Sequence, residues 1–353
     1  MIKLFEMFAG YGGGSFALKK AGLDHEVVGY SEIDKYAIQC YEQNHKGKNF
    51  GDCTKINPYE LEDFDLLTGG FPCQSFSAAG KGLGEQDTRG TLFNEIIRIA
   101  EVKQPKYMLL ENVKGFTFKK FKDTFNKVLG ELDRIGYTVY WKVLNSKDFG
   151  IPQNRERVCF ICFRKDIENH FEFPEKEELK LTFKDLLEEG VDEKYFLTES
   201  NIKTINRNFG SKGKILNLNC DISLIEKMTY PSRINQKENE TCCPTLTTAM
   251  GTGGGNVPAI QLKKEISQTL TTELSHGTGR DFFRGKQWEK IYNNSGELRR
   301  LTPKECFRLM GFLNDEINLD GLSDTQRYKL AGNGWDINLV AKIFKNMLRD
   351  KSE

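Results

Sequence analysis

Short apolar runs alternate with segments of helical periodicity through the first half of the chain. The runs that predict β-strands read "IKLFEMFAG", "EVVGYSE", "FDLLTGG" and "YMLLENV". The segments between them, "SFALKKAG", "DKYAIQCYEQNH" and "TLFNEIIRIAEVKQ", have the apolar spacing of helices. Strands that alternate with helices favour an α/β fold with a parallel, doubly wound sheet. Two later runs, "YTVYWKVLNS" and "RVCFICFR", predict a further pair of strands.

The pattern changes near residue 166. From there to about residue 199 the sequence is charged and lacks strand alternation, so we expect a connector with one short helix. The next hundred residues are rich in Asn, Thr, Gly and Lys and contain glycine turns, which indicates a smaller, irregular β-rich domain. Helical periodicity then returns. We therefore predict a large domain (1–194), a small domain (195–302) and a C-terminal segment (303–353) that completes the large domain.

Composition narrows the class of protein. The chain has 353 residues, of which 38% are hydrophobic and 29% charged, values that are usual for a soluble enzyme. It contains no apolar run of about 18 residues and no secretory signal pattern, so we expect a cytoplasmic protein without a membrane partner. Nine irregularly spaced cysteines indicate reduced thiols. Because the formal net charge is only +1, any binding to nucleic acid depends on local basic clusters.

The glycine-rich stretch "FAGYGGGSF" separates the first predicted strand from the first predicted helix. Its backbone amides can approach a ligand at the helix N-terminus, although a simple tight turn would also explain the glycines. Ser15 stands where a dinucleotide-binding motif has its third glycine. Glu32 follows the second strand and Asp52 comes one unit later, positions from which carboxylates can bind ribose hydroxyls. This arrangement favours a nucleoside with a small charged tail.

The stretch "GGFPCQSFS" places Cys73 just beyond the third predicted strand. Pro72 restricts the backbone before the thiol, and the glycine- and serine-rich surroundings are unlike those of a buried structural cysteine. Glu111 ends the fourth strand, and its carboxyl group therefore points to the same edge of the sheet. We interpret Cys73 as a nucleophile and Glu111 as an acid beside it.

Arg155 and Arg157, in "QNRER", alternate and are expected on one face of a strand. A contact with the site is favoured over a solvated edge because apolar sequence follows. Cys159 and Cys162 form a C-x-x-C, but they lie inside a predicted strand and have no second chelating pair. The four histidines show no paired ligand spacing, so we predict no metal.

Six motifs together resemble those of the DNA (cytosine-5)-methyltransferases. They are "FAGYGGGSFAL", "GFPCQSFS" with its continuation, "ENVKGF", "GIPQNRERVCFICFR", "RRLTPKECFRLMGF" and "GNGWDINLV", in the order and spacing of that family. The match covers nearly all of residues 1–166 and 298–345. It implies a sheet of the kind found in S-adenosylmethionine-dependent methyltransferases and, in the unmatched middle, a target-recognition domain.

The resemblance also implies catalytic roles. Cys73 adds to C6 of a cytosine, and Glu111 hydrogen-bonds or protonates N3. Arg157 holds the base oxygen and Arg155 supports the site, while Asn112 positions the loop that carries Glu111. The activated C5 then accepts the methyl group of S-adenosylmethionine.

A further set of residues is expected to bind S-adenosylmethionine. By resemblance, Glu32 binds the ribose, Ile33 an adenine face and Asp52 the adenine amino group. The other members of the set are Phe8, Gly10, Tyr11, Gly12, Pro72, Leu92, Asn333 and Trp335. The chain departs from the family at Gly334 and Trp335, where a serine or alanine and then a valine are usual, so we expect an altered pocket wall.

The partner that the resemblance implies is double-stranded DNA with a specific cytosine site. Because the base must leave the duplex, the segment from Ser75 to about Leu92 is expected to close over it. Expected DNA contacts are Ser77, Lys81, Arg89 and, from the recognition domain, Thr245. We expect a monomer of the restriction-modification type. A tRNA cytosine-5 methyltransferase and a catalytically inactive DNA-binding relative are the alternatives.

Overall fold

A computed structural model describes most of the chain. The described residues are 1–71, 91–196, 214–217, 222–226, 243–246, 259–262, 298–314 and 316–348. No helix within these ranges is both long and apolar enough to cross a membrane.

A six-stranded sheet forms the centre of the molecule, with the strand order β2-β1-β3-β4-β7-β5. Its strands are β1 (Ile2–Met7), β2 (His25–Ser31), β3 (Leu66–Gly70), β4 (Tyr107–Val113), β5 (Tyr137–Asn145) and β7 (Glu156–Arg164). The first four run parallel, while β7 is antiparallel to both β4 and β5. The predicted α/β fold class is confirmed, and all six central strands coincide with predicted apolar runs.

Helices cover the sheet. They are α1 (Gly13–Ala21), α2 (Lys35–Asn44), α3 (Thr91–Lys103), α4 (Lys122–Arg134), α5 (Pro303–Arg308), α6 (Asp324–Asn333) and α7 (Ile337–Met347). α7 packs on α1, so the C-terminal segment joins the same core as the glycine-rich loop. α4 and α6 are not among the predicted helices, although the spacing of Phe125, Val128 and Leu132 matches the buried face of α4.

Residues between 214 and 300 contribute a second, four-stranded sheet with the order β12-β11-β9-β8. Its strands are β8 (Lys214–Asn217), β9 (Ile222–Glu226), β11 (Ala259–Leu262) and β12 (Leu298–Arg300), each antiparallel to its neighbours. One short strand of this region, β10 (Cys243–Pro244), instead pairs in parallel with β6 (Gln153–Asn154), beside the central sheet. The described residues of this segment are thus mainly in strands, and one short strand among them pairs beside the central sheet.

The connector differs from its prediction. Between residues 165 and 196 the chain forms no α-helix, only two three-residue 3₁₀ turns, Lys184–Leu186 and Glu193–Tyr195. Buried side chains, among them Phe171, Phe183 and Tyr195, hold this stretch against the core. Anchoring at separate points keeps the backbone extended over the surface of the core, so no helix of useful length forms.

A buried ion pair joins β12 to α5. The side chains of Arg299 and Glu305 are 2% and 1% exposed, and the closest guanidinium–carboxylate contact is 2.6 Å (Nη2–Oε1). Glu305 also accepts hydrogen bonds from the backbone N–H groups of Thr302 (2.7 Å) and Glu188 (2.9 Å). The carboxylate therefore connects the small sheet, the connector and the C-terminal segment.

We predict that Glu305→Ala lowers the free energy of unfolding by about 3–5 kcal/mol, because it leaves the Arg299 guanidinium buried without its counter-charge. Urea denaturation measures the change. Arg134→Ala is the control, since it removes an exposed ion pair with Glu101 and should leave the urea midpoint nearly unchanged. Equal midpoints for the two variants would contradict the prediction.

Candidate active site

A carboxylate and a guanidinium meet where β4 and β7 lie side by side. Because these strands are antiparallel, Arg157 on β7 is opposite Val113 at the end of β4. Its Nε lies 2.8 Å from Oε1 of Glu111, and the two side chains are 16% and 17% exposed. The pair is thus largely shielded from water yet open on one side, at the carboxyl edge of the parallel strands.

Asn112 ties this edge to the segment that leads to Cys73. Its buried side chain donates from Nδ2 to the carbonyl oxygen of Phe71 (3.1 Å) and accepts at Oδ1 from the N–H of Val113 (2.8 Å). Phe71 is the last described residue before Pro72 and Cys73. The amide therefore fixes the start of the Cys73 segment beside Glu111, a more specific contact than the loop-positioning role expected from the sequence.

Several of the expected site residues lie outside the described part of the chain. These are Pro72, Cys73, Ser77, Lys81 and Arg89.

Arg155 is placed differently from the prediction that it shares a strand face with Arg157. It is the single residue between β6 and β7, and only 3% of its surface is exposed. Its guanidinium donates to the carbonyl oxygens of Gly334 (2.7 Å) and Leu246 (3.2 Å). Burial is the main cause that lowers the pKa of Arg155. The side chain serves as a connector inside the protein, because the break in the strand turns it toward these carbonyls.

The glycine-rich loop has the backbone geometry of a ligand-binding turn. Phe8 has a φ of 55°, which is uncommon for a residue with a side chain and is often found at functional sites. Gly12 caps α1 in the left-handed region with a φ of 87°. A Cβ atom there would also lie 2.3 Å from Nε2 of His45, so only glycine fits.

A cleft that is partly open to solvent lies between this loop and the ends of β3 and β4. Its lining includes five predicted cofactor residues and the predicted acid: Phe8, Gly10, Tyr11, Asn333, Trp335 and Glu111. A Cβ atom built on Gly70 would lie 3.1 Å from Nε1 of Trp335 and 3.4 Å from Oε2 of Glu111. The indole and the carboxylate therefore face the same small gap, so the cleft reaches the Glu111–Arg157 pair.

Glu32 lies at the rim of the cleft and is held by backbone amides. One oxygen, Oε2, accepts from the N–H of Gly10 (2.9 Å), and the other accepts from the N–H groups of Ile33 (2.8 Å) and Asp34 (2.9 Å). Ile33 beside it is 74% exposed, which leaves an apolar surface next to the carboxylate. These contacts preorganise Glu32 to accept further hydrogen bonds from a ligand.

Asp52 does not end a strand of its own, in contrast to the expectation that it repeats the position of Glu32 one unit later. The preceding segment forms only a one-residue bridge between Tyr30 and Asn49. Asn49, which sequence reasoning missed, brings the segment to Glu32, since its Oδ1 accepts from the N–H groups of Gly51 (2.9 Å) and Glu32 (3.3 Å). The Thr54 hydroxyl and N–H hold the pKa of Asp52 below its usual range.

Neither Leu92 nor Thr245 is among the described residues that line the cleft. Leu92 packs against the core cluster that contains Phe93. The hydroxyl of Thr245 donates to the carbonyl oxygen of Asn154 (2.6 Å). Thr245 therefore packs against β6, at Asn154, the residue that precedes Arg155 in the chain.

Glu6 is a second residue that sequence reasoning missed. Its buried carboxylate accepts from the N–H of Gly14 (2.9 Å) at the start of α1 and from the Tyr41 hydroxyl (2.6 Å). Desolvation raises the pKa of Glu6 to about 7, despite these hydrogen bonds. A single acidic residue inside the apolar run "IKLFEMF" is the signal that could have identified it.

His45 contacts the glycine-rich loop and the start of α1 through its two ring nitrogens. Since a carbonyl can only accept, Nε2 of His45 donates to the carbonyl oxygen of Tyr11 (3.2 Å), and Nδ1 lies 3.0 Å from the Ser15 hydroxyl. Burial lowers the pKa of His45 from 6.5 to about 4. The neutral ring is therefore the form that fits the loop.

Tyr11 explains the unusual residue at position 334. Its hydroxyl donates to the carbonyl oxygen of Trp335 (2.5 Å), and its ring occupies the space beside Gly334. A Cβ atom at position 334 would lie 1.9 Å from Cε1 of Tyr11. The glycine is thus required by the tyrosine, and together they form the altered pocket wall.

The C-x-x-C motif is divided between the two faces of the sheet. Cys159 belongs to one buried cluster and Cys162 to the other, so their thiols cannot bind one metal ion together. All six cysteines in the described ranges are buried, and none of those six is in a disulfide. No group of three metal-ligating side chains occurs within the same ranges.

Comparison with known proteins agrees with this geometry. A family profile described as C-5 cytosine-specific DNA methylase matches residues 2–349. The type II methyltransferase M.NgoBI of Neisseria gonorrhoeae is 48% identical over 343 residues, covering 96% of this chain and 91% of its own length. The type II methyltransferase M.HhaI of Haemophilus parahaemolyticus is 34% identical, covering 98% and 94%.

The fold is shared with solved structures of lower sequence identity. The DNMT2 mutant of Spodoptera frugiperda superposes with a TM-score of 0.73 at 20% identity, covering 99% of this chain and 100% of its own. Dnmt2 of S. pombe gives a TM-score of 0.68, also at 20% identity, with coverage of 99% and 98%. At this level of identity the similarity concerns the fold alone.

We predict that Gly334→Ala destabilises the protein by more than about 2 kcal/mol, because the new methyl group overlaps the Tyr11 ring. Adding Tyr11→Leu should recover part of this loss, since a shorter side chain frees the space. Denaturant unfolding of the two single variants and the double variant gives the coupling between the positions. Strictly additive losses would show that the two residues do not compete for space.

The lowered pKa of His45 predicts a pH dependence of stability. The neutral ring stabilises the fold fully above pH 6.5, and this stabilisation decreases as the pH falls from 6.5 toward 4. His45→Gln should therefore give a flatter dependence over this range, by at most about 3 kcal/mol. Urea midpoints at several pH values measure it, with the exposed His170→Gln as a control that follows the unmodified protein. Parallel curves for both variants would refute the assignment.

Proposed function

The chain belongs to the family of C-5 cytosine-specific DNA methylases, and from that premise we propose that it methylates C5 of a cytosine rotated out of duplex DNA. The observation that carries the proposal is the position of the Glu111–Arg157 pair. It lies at the inner end of the cleft and beside Phe71, two residues before Cys73. An acid and a ligand cleft thus meet at the edge of the sheet where the chain leads from Phe71 toward Cys73, which supports Cys73 as the nucleophile.

Cys73 is the nucleophile of this proposal. Its thiolate forms a bond to C6 of the cytosine, and the π electrons of the C5–C6 bond shift into the ring. The charge that develops is neutralised when Glu111, which enters this step in its protonated form, donates its proton to N3. Arg157, held against Glu111, binds the oxygen of the base. These steps make C5 nucleophilic without a free anion.

The second half of the reaction restores the ring. Once C5 carries the methyl group, it loses its proton to a base, and the electrons of that C–H bond re-form the C5–C6 double bond. The bond between sulfur and C6 breaks, Cys73 leaves as the thiolate, and N3 returns its proton to Glu111. Cys73 and Glu111 thereby return to their starting forms, and water takes up the proton released from C5.

The cleft fits S-adenosylmethionine. Gly10 has open space where a Cβ atom would lie, Glu32 offers a carboxylate to ribose hydroxyls, and Ile33 offers an exposed apolar surface to adenine. Phe8, Tyr11 and Gly12 surround the methionine part, with Asn333 and Trp335 on the opposite wall. Asp52 binds the adenine amino group, and Pro72 and Leu92 belong to the same proposed set. When bound, the sulfonium group supplies an electrophilic methyl group.

The DNA contacts remain part of the proposal. Rotating the cytosine out of the stack costs a few kcal/mol, which contacts to the DNA backbone must offset. Ser77, Lys81 and Arg89 make these contacts from the segment that follows Cys73, and Thr245 makes them from the recognition domain. Sequence selection belongs to residues 195–302, and the protein acts as a cytoplasmic monomer.

The names of the relatives support a role in restriction and modification, because M.NgoBI and M.HhaI are named type II methyltransferases. A tRNA methyltransferase and an inactive DNA-binding protein are the competing functions. The former requires methyl transfer to tRNA, and the latter predicts no methyl transfer at all. The paired Glu111 and Arg157 favour an active enzyme.

We predict that Cys73→Ala abolishes methyl transfer while binding of S-adenosylmethionine, measured by calorimetry, is retained. Bisulfite sequencing of DNA from a host that expresses the protein first gives the target sequence. With S-adenosylmethionine present, a duplex with 5-fluorocytosine at that site should then form a covalent complex with the unmodified protein, because after methyl transfer the fluorine cannot leave as the C5 proton does.

Cys162→Ala is the matched control, since it removes a thiol buried in the sheet and should still form the complex. Turnover by Cys73→Ala would exclude Cys73 as the nucleophile. Methylation of tRNA in preference to duplex DNA would replace the proposed substrate.

A further inference from the structure

The turn that follows β4 concentrates positive charge. Residues 113–122, hereafter the post-β4 turn, read "VKGFTFKKFK" and contain four lysines and no acidic residue. The whole chain has a formal net charge of only +1, so this local excess is not a reflection of composition. Such a cluster is able to attract an anionic partner.

Two buried aromatic side chains anchor the post-β4 turn to the core. Phe116 is fully buried, and its ring meets that of Phe71 edge to face at 5.8 Å. Phe121 is 8% exposed and packs on Phe116. Two 3₁₀ turns, Lys114–Thr117 and Lys119–Phe121, close the backbone between these anchors. The side chains between the anchors therefore have a fixed position.

The outward side chains are an aromatic ring and lysines. Phe118 is 50% exposed, and Lys119, Lys120 and Lys122 are also exposed. Lys114 is paired with Glu156 at 2.7 Å. Lys120 lies over the Phe121 ring, 4.6 Å from its centroid, and within the described ranges no ion pair with a carboxylate is found for Lys119, Lys120 or Lys122. Their charge is therefore available to an anionic partner.

The position of the post-β4 turn selects the partner. It begins two residues after Glu111, and Val113, 42% exposed, is opposite Arg157 in the sheet. The post-β4 turn is therefore next to the carboxylate that the proposed function assigns to the target cytosine. Lysine side chains are suited to phosphates, and an exposed aromatic ring is suited to sugar and base edges.

We infer that the post-β4 turn is a DNA-binding surface, in addition to the contacts proposed above and resting on the same proposed function. Lys119 and Lys120 bind phosphates of the backbone next to the target cytosine. Phe118 packs on the deoxyribose and base edges that are uncovered beside the extruded nucleotide.

The test compares two variants with equal loss of charge. Lys119→Ala/Lys120→Ala removes two cations from the post-β4 turn. Lys19→Ala/Lys345→Ala removes two exposed cations from the ends of α1 and α7, at the opposite edge of the sheet. Fluorescence anisotropy with a mixed-sequence duplex of about 30 base pairs, between 50 and 200 mM salt, gives affinity and its salt dependence.

The post-β4 variant should bind the duplex on the order of tenfold more weakly, and its log–log salt slope should be shallower by about 2. Its KM for DNA should rise with kcat and S-adenosylmethionine affinity unchanged. The control variant should keep the slope and KM of the unmodified protein. Phe118→Ala should weaken binding without changing the slope, because no charge is lost.

A slope and KM equal to those of the unmodified protein would overturn the inference, as would a loss confined to tRNA. Anisotropy measures DNA binding without methyl transfer, so this inference and the proposed function are tested independently. Duplex binding through the post-β4 turn without methylated product would contradict only the proposed function. Methylated DNA with an unaffected variant would contradict only this inference.

Discussion

The structure depends on one buried guanidinium. Arg155 lies between two strands of the catalytic edge and donates to carbonyl oxygens of Leu246, from the recognition segment, and Gly334, from the wall of the cleft. The Arg155 guanidinium thus links three parts of the chain that are far apart in sequence. Moving either partner would deprive a buried cation of one of its few acceptors, which destabilises the fold. The site and the recognition segment are therefore held in a common geometry.

The central sheet could be predicted because its strands are buried and continuous in their apolar sequence. Cys159 and Cys162 are an example. The apolar run around them predicts a buried strand rather than a metal site, and in the structure their thiols lie on opposite faces of the sheet. The connector could not be predicted in this way. The structure of the connector depends on contacts of Phe171 and Phe183 with residues distant in sequence. The local periodicity of the connector does not reveal these contacts.

The residues of the candidate site also differ in how far the sequence could predict them. Residues at strand ends, such as Glu111 and Glu32, could be located from the strand pattern together with the family resemblance. Asn49 could not, because the backbone amide of Glu32 reaches its side chain only on folding. Glu6 leaves a signal as a lone acid in an apolar run, but its hydrogen bonds to the amide of Gly14 and the hydroxyl of Tyr41 cannot be read from that run. Arg155 was assigned to the wrong surroundings for a similar reason: alternation holds only where a strand is unbroken.

The packing of α7 on α1 has a consequence for synthesis of the protein. Phe16 and Leu18 of α1 share a core with Val340 and Phe344 of α7, which leave the ribosome more than 300 residues later. At roughly 5–20 residues per second, the nascent chain exposes this apolar surface for about 15–60 s. A product of premature termination would lack α7 altogether. It would present the same surface to chaperones and proteases, and no truncated methylase would accumulate.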